Sequence, residues 1–219
     1  MKIKKNHNLP LDKFINFSLY EKKFGYYMKK NPFGKNGDFI TAPNISRLFS
    51  EMISIWVISF WQSLGFPKKF NLIELGAGNG EMMKVLIESL KNFPDFFKAC
   101  NFIIHEKSPA LKKIQKKKFL NHNLIWISKI NKLQKRPSIF IANEFFDAIP
   151  IKQFKKNGDS LLEKFYNLGS NFKIKEVYRK ASFQDIKKIR SFKTFNNLKF
   201  IEFPKSGLDE LKKINKKIL

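Results

Sequence analysis

Three glycines at alternate positions, Gly76, Gly78 and Gly80, have the spacing that says most about the chemistry of this 219-residue chain. They follow Asn71-Leu-Ile-Glu-Leu75, an apolar run that is typical of a buried strand. A strand that enters a glycine-rich turn before a helix lets the backbone approach a ligand closely and directs helix N–H groups at it. The alternative is a tight strand-to-helix turn that binds nothing.

The spacing narrows the class of ligand. A dinucleotide-binding turn has the pattern G-x-G-x-x-G, which would need a third glycine where this chain has Glu81. Here the pattern is E-x-G-x-G-x-G, and its acid is Glu74. This form resembles motif I of class I S-adenosylmethionine (SAM) methyltransferases. Because SAM carries an ammonium and a sulfonium and no phosphate, a carboxylate at the end of the strand suits it.

A second acid, Glu106, ends the next predicted strand, Asn101–His105. Folds of this kind place an acid there to accept hydrogen bonds from the ribose hydroxyls of a nucleoside. Glu106 could instead be a surface acid among lysines. Its combination with the glycine-rich turn favours the ligand-binding interpretation, since the pair is more specific than either feature alone.

The run Asn143-Glu-Phe-Phe-Asp-Ala-Ile-Pro150 follows a fourth predicted strand, Ser138–Ala142. Ligand crevices in open α/β sheets lie beyond the carboxyl ends of the strands, so Asn143, Glu144 and Asp147 are expected near the transferred group. A carboxylate can hold a guanidinium acceptor with two hydrogen bonds. Helix capping is the alternative for Asn143 and Asp147. The run differs from the Asn/Asp-Pro-Pro-Tyr loop of amino-methylating nucleic-acid enzymes, which disfavours that class.

The loop Gly34-Lys-Asn-Gly-Asp-Phe-Ile-Thr-Ala-Pro43 is unusually structured for a linker. Its two glycines permit a sharp turn, while Asp38 and Thr41 supply an acceptor and a hydroxyl near a helix N-terminus. The loop could fold over the donor as a lid, or it could be an ordinary capped turn. Chemistry alone leaves both interpretations open.

These motifs occur together in a known family. The runs are Gly37-Asp-Phe-Ile-Thr-Ala-Pro43, Glu74-Leu-Gly-Ala-Gly-Asn-Gly80, Glu106-Lys-Ser-Pro109 and Asn143-Glu-Phe-Phe-Asp-Ala-Ile-Pro150. Their order and spacing over residues 10–155 resemble the MidA family of SAM-dependent methyltransferases. That family includes the mitochondrial protein-arginine methyltransferase that assists assembly of respiratory complex I.

The resemblance implies SAM as the cofactor, a site of two parts and a protein substrate. The cofactor-binding residues would be Glu74, Gly76, Gly78, Gly80, Glu106, Gly37, Asp38 and Thr41, and the catalytic residues would be Asn143, Glu144 and Asp147. The substrate would be an arginine in a protein, with a complex I subunit as a candidate, and the oligomeric state is open, with a homodimer among the alternatives. Asn44 stands where the family usually has Glu, so an acceptor-binding role there is in doubt.

The charge of the chain is strongly positive, with 43 Lys and Arg against 18 Asp and Glu and a net charge of +25. Such an excess raises the expectation of nucleic-acid or membrane contact. No RNA-recognition, zinc-finger or KH signature accompanies it, so we interpret it as a solvated lysine surface and expect no nucleic-acid partner. One cysteine and three scattered histidines exclude an intramolecular disulfide framework and provide no metal-binding pattern.

Alternating strands and helices predict an α/β fold, the class I Rossmann-like parallel sheet, with an N-terminal helical extension and a small antiparallel insertion. We expect a helical region and lid loop over 1–66, a SAM-binding half over 67–150, and a β insertion with a terminal helix over 151–219. Four parallel strands can be found, so an incomplete sheet is expected, from either a gene fragment or a degenerate homologue.

The segment Phe49–Phe66 is the most apolar part of the chain but is too polar and too short to span a membrane. Its large residues Met52, Ile55, Trp56 and Phe60 recur at helical spacing, which predicts a core helix that buries them. The N-terminus lacks the apolar stretch of a signal peptide, so a cytoplasmic, bacterial protein is expected.

The sequence therefore favours a SAM-dependent protein-arginine methyltransferase. A catalytically reduced assembly chaperone that retains the fold is the first alternative. An RNA-binding or RNA-methylating protein, suggested by the net charge, is the second.

Overall fold

The computed structural model describes residues 8–29, 31–34, 37–169 and 173–218. Its strands are β1 (Asn8–Pro10), β2 (Phe70–Leu75), β3 (Cys100–His105), β4 (Leu124–Ile127), β5 (Ser138–Ile141), β6 (Lys152–Asn157), β7 (Ser160–Leu168), β8 (Ile174–Lys180) and β9 (Phe200–Phe203). Its α-helices are α1 (Leu11–Tyr20), α2 (Tyr26–Lys29), α3 (Ala42–Ile45), α4 (Arg47–Ser63), α5 (Glu81–Leu90), α6 (Pro94–Ala99), α7 (Pro109–Lys118), α8 (Phe183–Arg190) and α9 (Lys205–Asn215). Short 3₁₀ turns cover Ile130–Lys132 and Lys193–Phe195.

The described chain forms two compact units, each built from separate parts of the sequence. One unit takes residues from 8–21 and 147–210, and the other from 22–146 and 211–218. The N-terminal strand and helix thus belong to the same unit as the antiparallel region. The three sequential regions expected above remain a prediction.

The unit around residues 22–146 is built on a parallel sheet with strand order β4-β3-β2-β5. Leu72 of β2 lies between Phe102 of β3 and Ile139 of β5, and all six residues of β2 are buried. A strand buried on both faces and flanked on both sides needs a continuous apolar run, which Phe70–Leu75 supplies except for Asn71 and Glu74. The predicted parallel sheet is confirmed, and its central strand leads into the glycine-rich turn.

Strand β5 lies at one edge of this sheet. Among the described strands, it pairs with β2 on one side and with none on the other. An edge strand presents backbone N–H and C=O groups that can pair with another chain segment.

Helix α4 forms as expected, but the prediction of its buried face is wrong. Met52, Ile55, Trp56 and Phe60 are exposed, and the buried side consists of Ser50, Ser54, Val57, Ile58 and Trp61. Both sets have helical spacing, so periodicity could not choose between them. The helix packs on α5, and its buried Val57, Ile58 and Trp61 belong to the same core cluster as residues of that helix. The hydroxyl of Ser54 donates to the carbonyl of Ser50 at 3.0 Å.

The unit around residues 147–210 contains an antiparallel sheet with strand order β1-β7-β6-β9, and β8 also pairs with β7. Strands β6 and β7 are joined at Gly158, as the Asn-Gly pair at 157–158 indicates. Phe154, Ile201 and Phe203 form its core. The predicted antiparallel insertion is confirmed.

None of the helices in the four described ranges is long and apolar enough to cross a membrane.

Candidate functional site

The glycine-rich turn joins β2 to α5 at the carboxyl end of the parallel sheet. The N–H of Gly76 donates to the carbonyl of His105 at 2.9 Å, which ties the start of the turn to β3. The N–H of Gly80 donates to the carbonyl of Ala77 at 2.7 Å and closes the turn. Gly80 is also the N-cap of α5, so the turn leads directly to a helix N-terminus.

The turn requires glycine for conformation and for space. Gly76 and Gly78 have φ angles of 69° and 53°, in the left-handed region that side chains disfavour. A Cβ atom on Gly76 would lie 2.8 Å from the ring of Phe145, and one on Gly78 would lie 3.1 Å from the ring of Phe33. The turn is therefore enclosed by aromatic rings that come from distant segments.

Beside the turn lies an open cavity of about 400 Å³. The cavity is lined by Phe33, Thr41, Pro43, Asn44, Glu74, Gly76, Ala77, Gly78, Asn79, Glu81, Met82, Asn143 and Glu144. This volume includes space that is open to solvent.

Glu74 is buried in the wall of this cavity. Its Oε2 atom has no hydrogen-bond partner among the described residues. Burial raises the pKa of Glu74 to about 8, although a hydrogen bond from the Met83 backbone opposes the shift. Because a buried carboxylate oxygen without a partner is costly, its presence here indicates a site that a cation or a hydrogen-bond donor completes.

Glu106 lies at the end of β3 and is also buried. Its Oε1 atom accepts hydrogen bonds of 2.8 Å from the N–H groups of Lys107 and Ser108. Burial raises its pKa, and these hydrogen bonds oppose the shift. The carboxylate is thus fixed in orientation at the start of α7, and Glu106 is not one of the residues that line the cavity.

Gln115 connects Glu106 to the glycine-rich turn. Its Nε2 atom donates to the carbonyl of Gly78 at 2.8 Å and to Oε2 of Glu106 at 3.3 Å. Its Oε1 atom accepts from the indole N–H of Trp126 at 3.1 Å. Gln115 is not among the site residues predicted from the sequence. Its signal was present, because Gln115 is an uncharged side chain four positions after Leu111 in a helix otherwise rich in lysine.

Only part of the loop predicted as a lid is described, because its Lys35 and Asn36 lie outside the described residues. Its described residues differ in their relation to the cavity. Thr41 is buried and lines the cavity, whereas Gly37 and Asp38 do not. A carboxylate oxygen of Asp38 accepts a hydrogen bond from the hydroxyl of Tyr26. A Cβ on Gly37 would lie 2.3 Å from the carbonyl oxygen of Pro32, so the loop is tightly folded.

Asn44 joins that loop to the glycine-rich turn. Its Nδ2 atom donates to Oγ1 of Thr41 at 2.9 Å, and its Oδ1 atom accepts from Nδ2 of Asn79 at 2.7 Å. All three side chains line the cavity. Asn44 therefore positions the wall of the cavity, a role that sequence reasoning did not find.

Asn143 and Glu144 follow β5 and reach the same cavity. Glu144 is exposed and has a φ of 49°, in the left-handed region that a non-glycine residue seldom adopts. Residues held in such conformations cluster at functional sites. Asp147 is exposed in a turn at the start of the other unit, and its catalytic role remains a prediction.

The structure thus gathers part of the predicted set at one cavity. Glu74, Gly76, Gly78, Thr41, Asn143 and Glu144 line it, while Gly80, Glu106, Gly37, Asp38 and Asp147 do not. Gly80 closes the turn, and Glu106 is linked to that turn through Gln115. The individual roles predicted for all these residues stay predictions.

Comparison with known proteins identifies the family. The model of a family of S-adenosyl-L-methionine-dependent methyltransferases matches residues 52–218, which include the glycine-rich turn and the strand ends on either side. The chain belongs to this family. The resemblance to SAM-dependent methyltransferases inferred from the motifs is thereby confirmed.

Curated relatives support the same family. The chain is 32% identical to the mitochondrial protein arginine methyltransferase NDUFAF7 of Xenopus tropicalis, over a region that covers 74% of this chain and 43% of that protein. It is 29% identical to the human protein of that name, over 76% of this chain and 43% of the relative. The matched region therefore spans about two fifths of the length of these relatives.

A solved structure shows the same fold. A Burkholderia thailandensis protein, crystallised with S-adenosyl-homocysteine bound, superposes with a TM-score of 0.80 at 18% identity, covering 96% of this chain and 56% of that one. At this identity the likeness concerns the fold alone. The predicted class I methyltransferase fold is confirmed.

Proposed function

We propose that this chain is a SAM-dependent methyltransferase that modifies an arginine side chain of a protein. The observation that carries the proposal is that Oε2 of Glu74, in the wall of the cavity beside the glycine-rich turn, has no hydrogen-bond partner in the described part of the chain. Family membership supports the cofactor, and the names of the curated relatives support the arginine acceptor. A bacterial cytoplasmic location is proposed on the sequence alone.

The residues present fit SAM on two observations. Glu74 has an acceptor atom with no partner among the described residues, and Gly76 and Gly78 line the cavity with backbone that carries no side chain. Glu74 and the turn would hold the cationic end, and Glu106 would hold the ribose. When bound, SAM would supply a methyl group on a sulfonium: its carbon would bond to the acceptor nitrogen as the C–S bond breaks, and S-adenosyl-homocysteine would leave.

Glu144 is the residue best placed to orient the acceptor. Its exposed carboxylate is held at the cavity by a left-handed backbone, and a carboxylate can bind a guanidinium with two hydrogen bonds. These two bonds hold two of the three guanidinium nitrogens and leave a terminal nitrogen to be directed toward the methyl group, so positioning accounts for much of the rate. The proton that the methylated nitrogen loses can pass to the same carboxylate or to water. Asn143 lines the same wall and would assist as a hydrogen-bonding residue.

The proposed partner is a protein, and the resemblance to the MidA family implies a subunit of respiratory complex I. The net charge of +25 would favour an acidic surface on that partner. A second copy of the chain, in a homodimer, is the other partner that stays open.

The test is transfer of labelled methyl groups. The purified 219-residue chain is incubated with methyl-labelled SAM and a lysate from cells that lack the gene, and methylarginine is sought by mass spectrometry. We expect labelled arginine in a small set of proteins, lost in the Glu144→Gln variant. Folded chain that binds SAM but labels no arginine would overturn the arginine assignment, and folded chain that binds no SAM would overturn the cofactor assignment.

A second candidate, an assembly chaperone without transfer activity, is favoured by one observation. Among the described strands, β5 is an edge strand, and such an edge can capture a segment of another chain by strand addition. This candidate predicts capture of a defined complex I subunit in pull-down experiments without transfer of labelled methyl.

A further inference from the structure

Helix α4 carries an exposed row of large apolar side chains. Every fourth residue belongs to it: Leu48, Met52, Trp56, Phe60 and Leu64, which are 62%, 56%, 50%, 42% and 44% exposed. Leu64 is the C-cap of the helix, so the row runs along its whole length. We call these five residues the α4 ridge.

The α4 ridge is as large as the largest apolar patches that ordinary monomers expose. It exposes on the order of 600 Å², at the upper limit of what monomeric proteins commonly show. Ile55 of the same helix is also exposed and brings the apolar area to roughly 650 Å², somewhat below the roughly 800 Å² that each partner buries in a standard protein interface.

The charges around the α4 ridge favour a neutral partner surface. Of the 43 lysines and arginines, none lies between Leu48 and Pro67, although the chain carries a net charge of +25. Glu51 is the only charged residue in that stretch, and it is paired with Arg47 at 2.7 Å. A nucleic acid or a strongly acidic protein would gain little here, whereas two strongly basic copies could approach without bringing lysines together.

The spacing of the α4 ridge is symmetric about Trp56. If two copies of α4 pack antiparallel and cross at Trp56 on a two-fold axis, each Met52 faces Phe60 of the other copy, and each Leu48 faces Leu64. Rows of side chains four residues apart interdigitate in the commonest class of helix packing. The rings of Trp56 and Phe60 already stack with their centroids 5.2 Å apart, so part of the surface is preformed.

We propose that two copies of this chain form a homodimer by crossing their α4 helices at Trp56. The contact is isologous, because the same ridge serves both copies. None of the five ridge residues lines the cavity beside the glycine-rich turn, so the dimer does not depend on the proposed function.

The first experiment measures mass in solution. Sedimentation equilibrium of the 219-residue chain should give a dimer, and Trp56→Glu should weaken association at least about thirtyfold, as expected for loss of a central tryptophan. Leu120→Glu is the matched control, because Leu120 is 80% exposed outside the ridge, and it should leave the dimer intact. Circular dichroism checks that both variants are folded.

The second experiment tests the symmetry of the contact. In a Cys100→Ala background, Trp56→Cys should cross-link to its own copy with a short bismaleimide. Leu48→Cys alone should cross-link poorly, yet it should link efficiently when mixed with Leu64→Cys. Leu120→Cys is the control that should not react between copies.

Three outcomes would overturn the proposal. The first is a chain that stays monomeric up to millimolar concentration, which would assign the ridge to another protein or to a further segment of a longer chain. The second is a dimer that survives Trp56→Glu. The third is a dimer in which Leu48→Cys links to itself and not to Leu64→Cys, which would show a parallel arrangement.

Discussion

Asn79 donates a hydrogen bond of 2.7 Å from its Nδ2 atom to Oδ1 of Asn44, and this bond joins the loop that carries Thr41 to the glycine-rich turn. Asn44 in turn donates to Thr41 at 2.9 Å. Two segments far apart in sequence thus form one wall of the cavity. The wall depends on short polar side chains, so single substitutions can test it.

Removing this bond should weaken SAM binding more than it weakens the fold. Asn44→Ala and Asn79→Ala should each raise the Kd for SAM severalfold, because the wall is no longer held, and should cost about 1 kcal/mol of unfolding free energy. Calorimetric titration and urea unfolding measure the two effects. The double variant should be little worse than either single variant, and Asn121→Ala, at an exposed position, is the control. Fully additive losses would show that the two residues act separately.

Gly78 should tolerate no side chain. Gly78→Ala combines a left-handed φ of 53° with a Cβ that lies 3.1 Å from the ring of Phe33, so we expect at least a tenfold loss of SAM affinity. Gly65→Ala is the matched control, since Gly65 has a φ of 78° and nothing within 4 Å of its Cβ position. It should cost about 1–2 kcal/mol of stability and leave binding unchanged. Equal effects of the two substitutions on binding would argue against a close approach of ligand to Gly78.

The free energy of unfolding should depend on pH through the titration of Glu74. The pKa of this group is about 8 in the folded chain against an ordinary value of 4.5, so the folded chain holds a proton in that window that the unfolded chain has lost. Its contribution to the free energy of unfolding therefore falls as pH rises from about 4.5 to about 8, by on the order of 4 kcal/mol in all. Glu74→Gln, which cannot titrate, should match the parent chain below this window and exceed its stability above it. Urea unfolding measures this free energy at each pH. If it changed with pH in the same way for the parent chain and for Glu74→Gln, this prediction would be contradicted.

The same carboxyl should release a proton when SAM binds. A cation beside Glu74 lowers its pKa, so binding at pH 7 should release up to one proton, and binding well above pH 8 should release none. Calorimetry in buffers of different ionisation enthalpy measures this count. Glu74→Gln should bind more weakly and lose this release, and an unchanged release would exclude Glu74 as its source.

Glu144 should serve activity at the expense of stability. Glu144→Gly should raise the unfolding free energy by about 1 kcal/mol, because glycine adopts the φ of 49° without strain. Glu144→Gln should keep the strain and the shape but lower kcat for arginine methylation by roughly a hundredfold, with little change in the Kd for SAM. If both variants keep full activity, Glu144 does not orient the acceptor.

Gln115 should act as a structural link between Glu106 and the turn. Gln115→Leu leaves the Gly78 carbonyl and the Trp126 N–H without their partner, so we expect a loss of about 2–3 kcal/mol of stability. Thermal unfolding measures this loss. Gln184→Leu, at an exposed position on α8, is the control and should change stability little.

The sequence by itself determined the parts that local pattern controls. The apolar run before Gly76 and the alternation of strands and helices specified the parallel sheet, because only a buried central strand needs so continuous an apolar run. Glu74 and Glu106 were found because they sit where strands end. The sequence did not show their surroundings. Oε2 of Glu74 lacks a partner among the described residues, and Glu106 is linked to Gln115. Both facts depend on how segments pack in the folded chain.

Only the tertiary structure decided which face of α4 is buried. Both faces have helical spacing, and the larger side chains of Met52 and Trp56 predicted the wrong one. The choice was made by packing against α5, because Val57, Ile58 and Trp61 join the core cluster that contains residues of that helix, and Ser50 and Ser54 are buried on the same side. Periodicity shows that apolar residues recur on one side of a helix, whereas burial depends on which neighbouring element that side packs against.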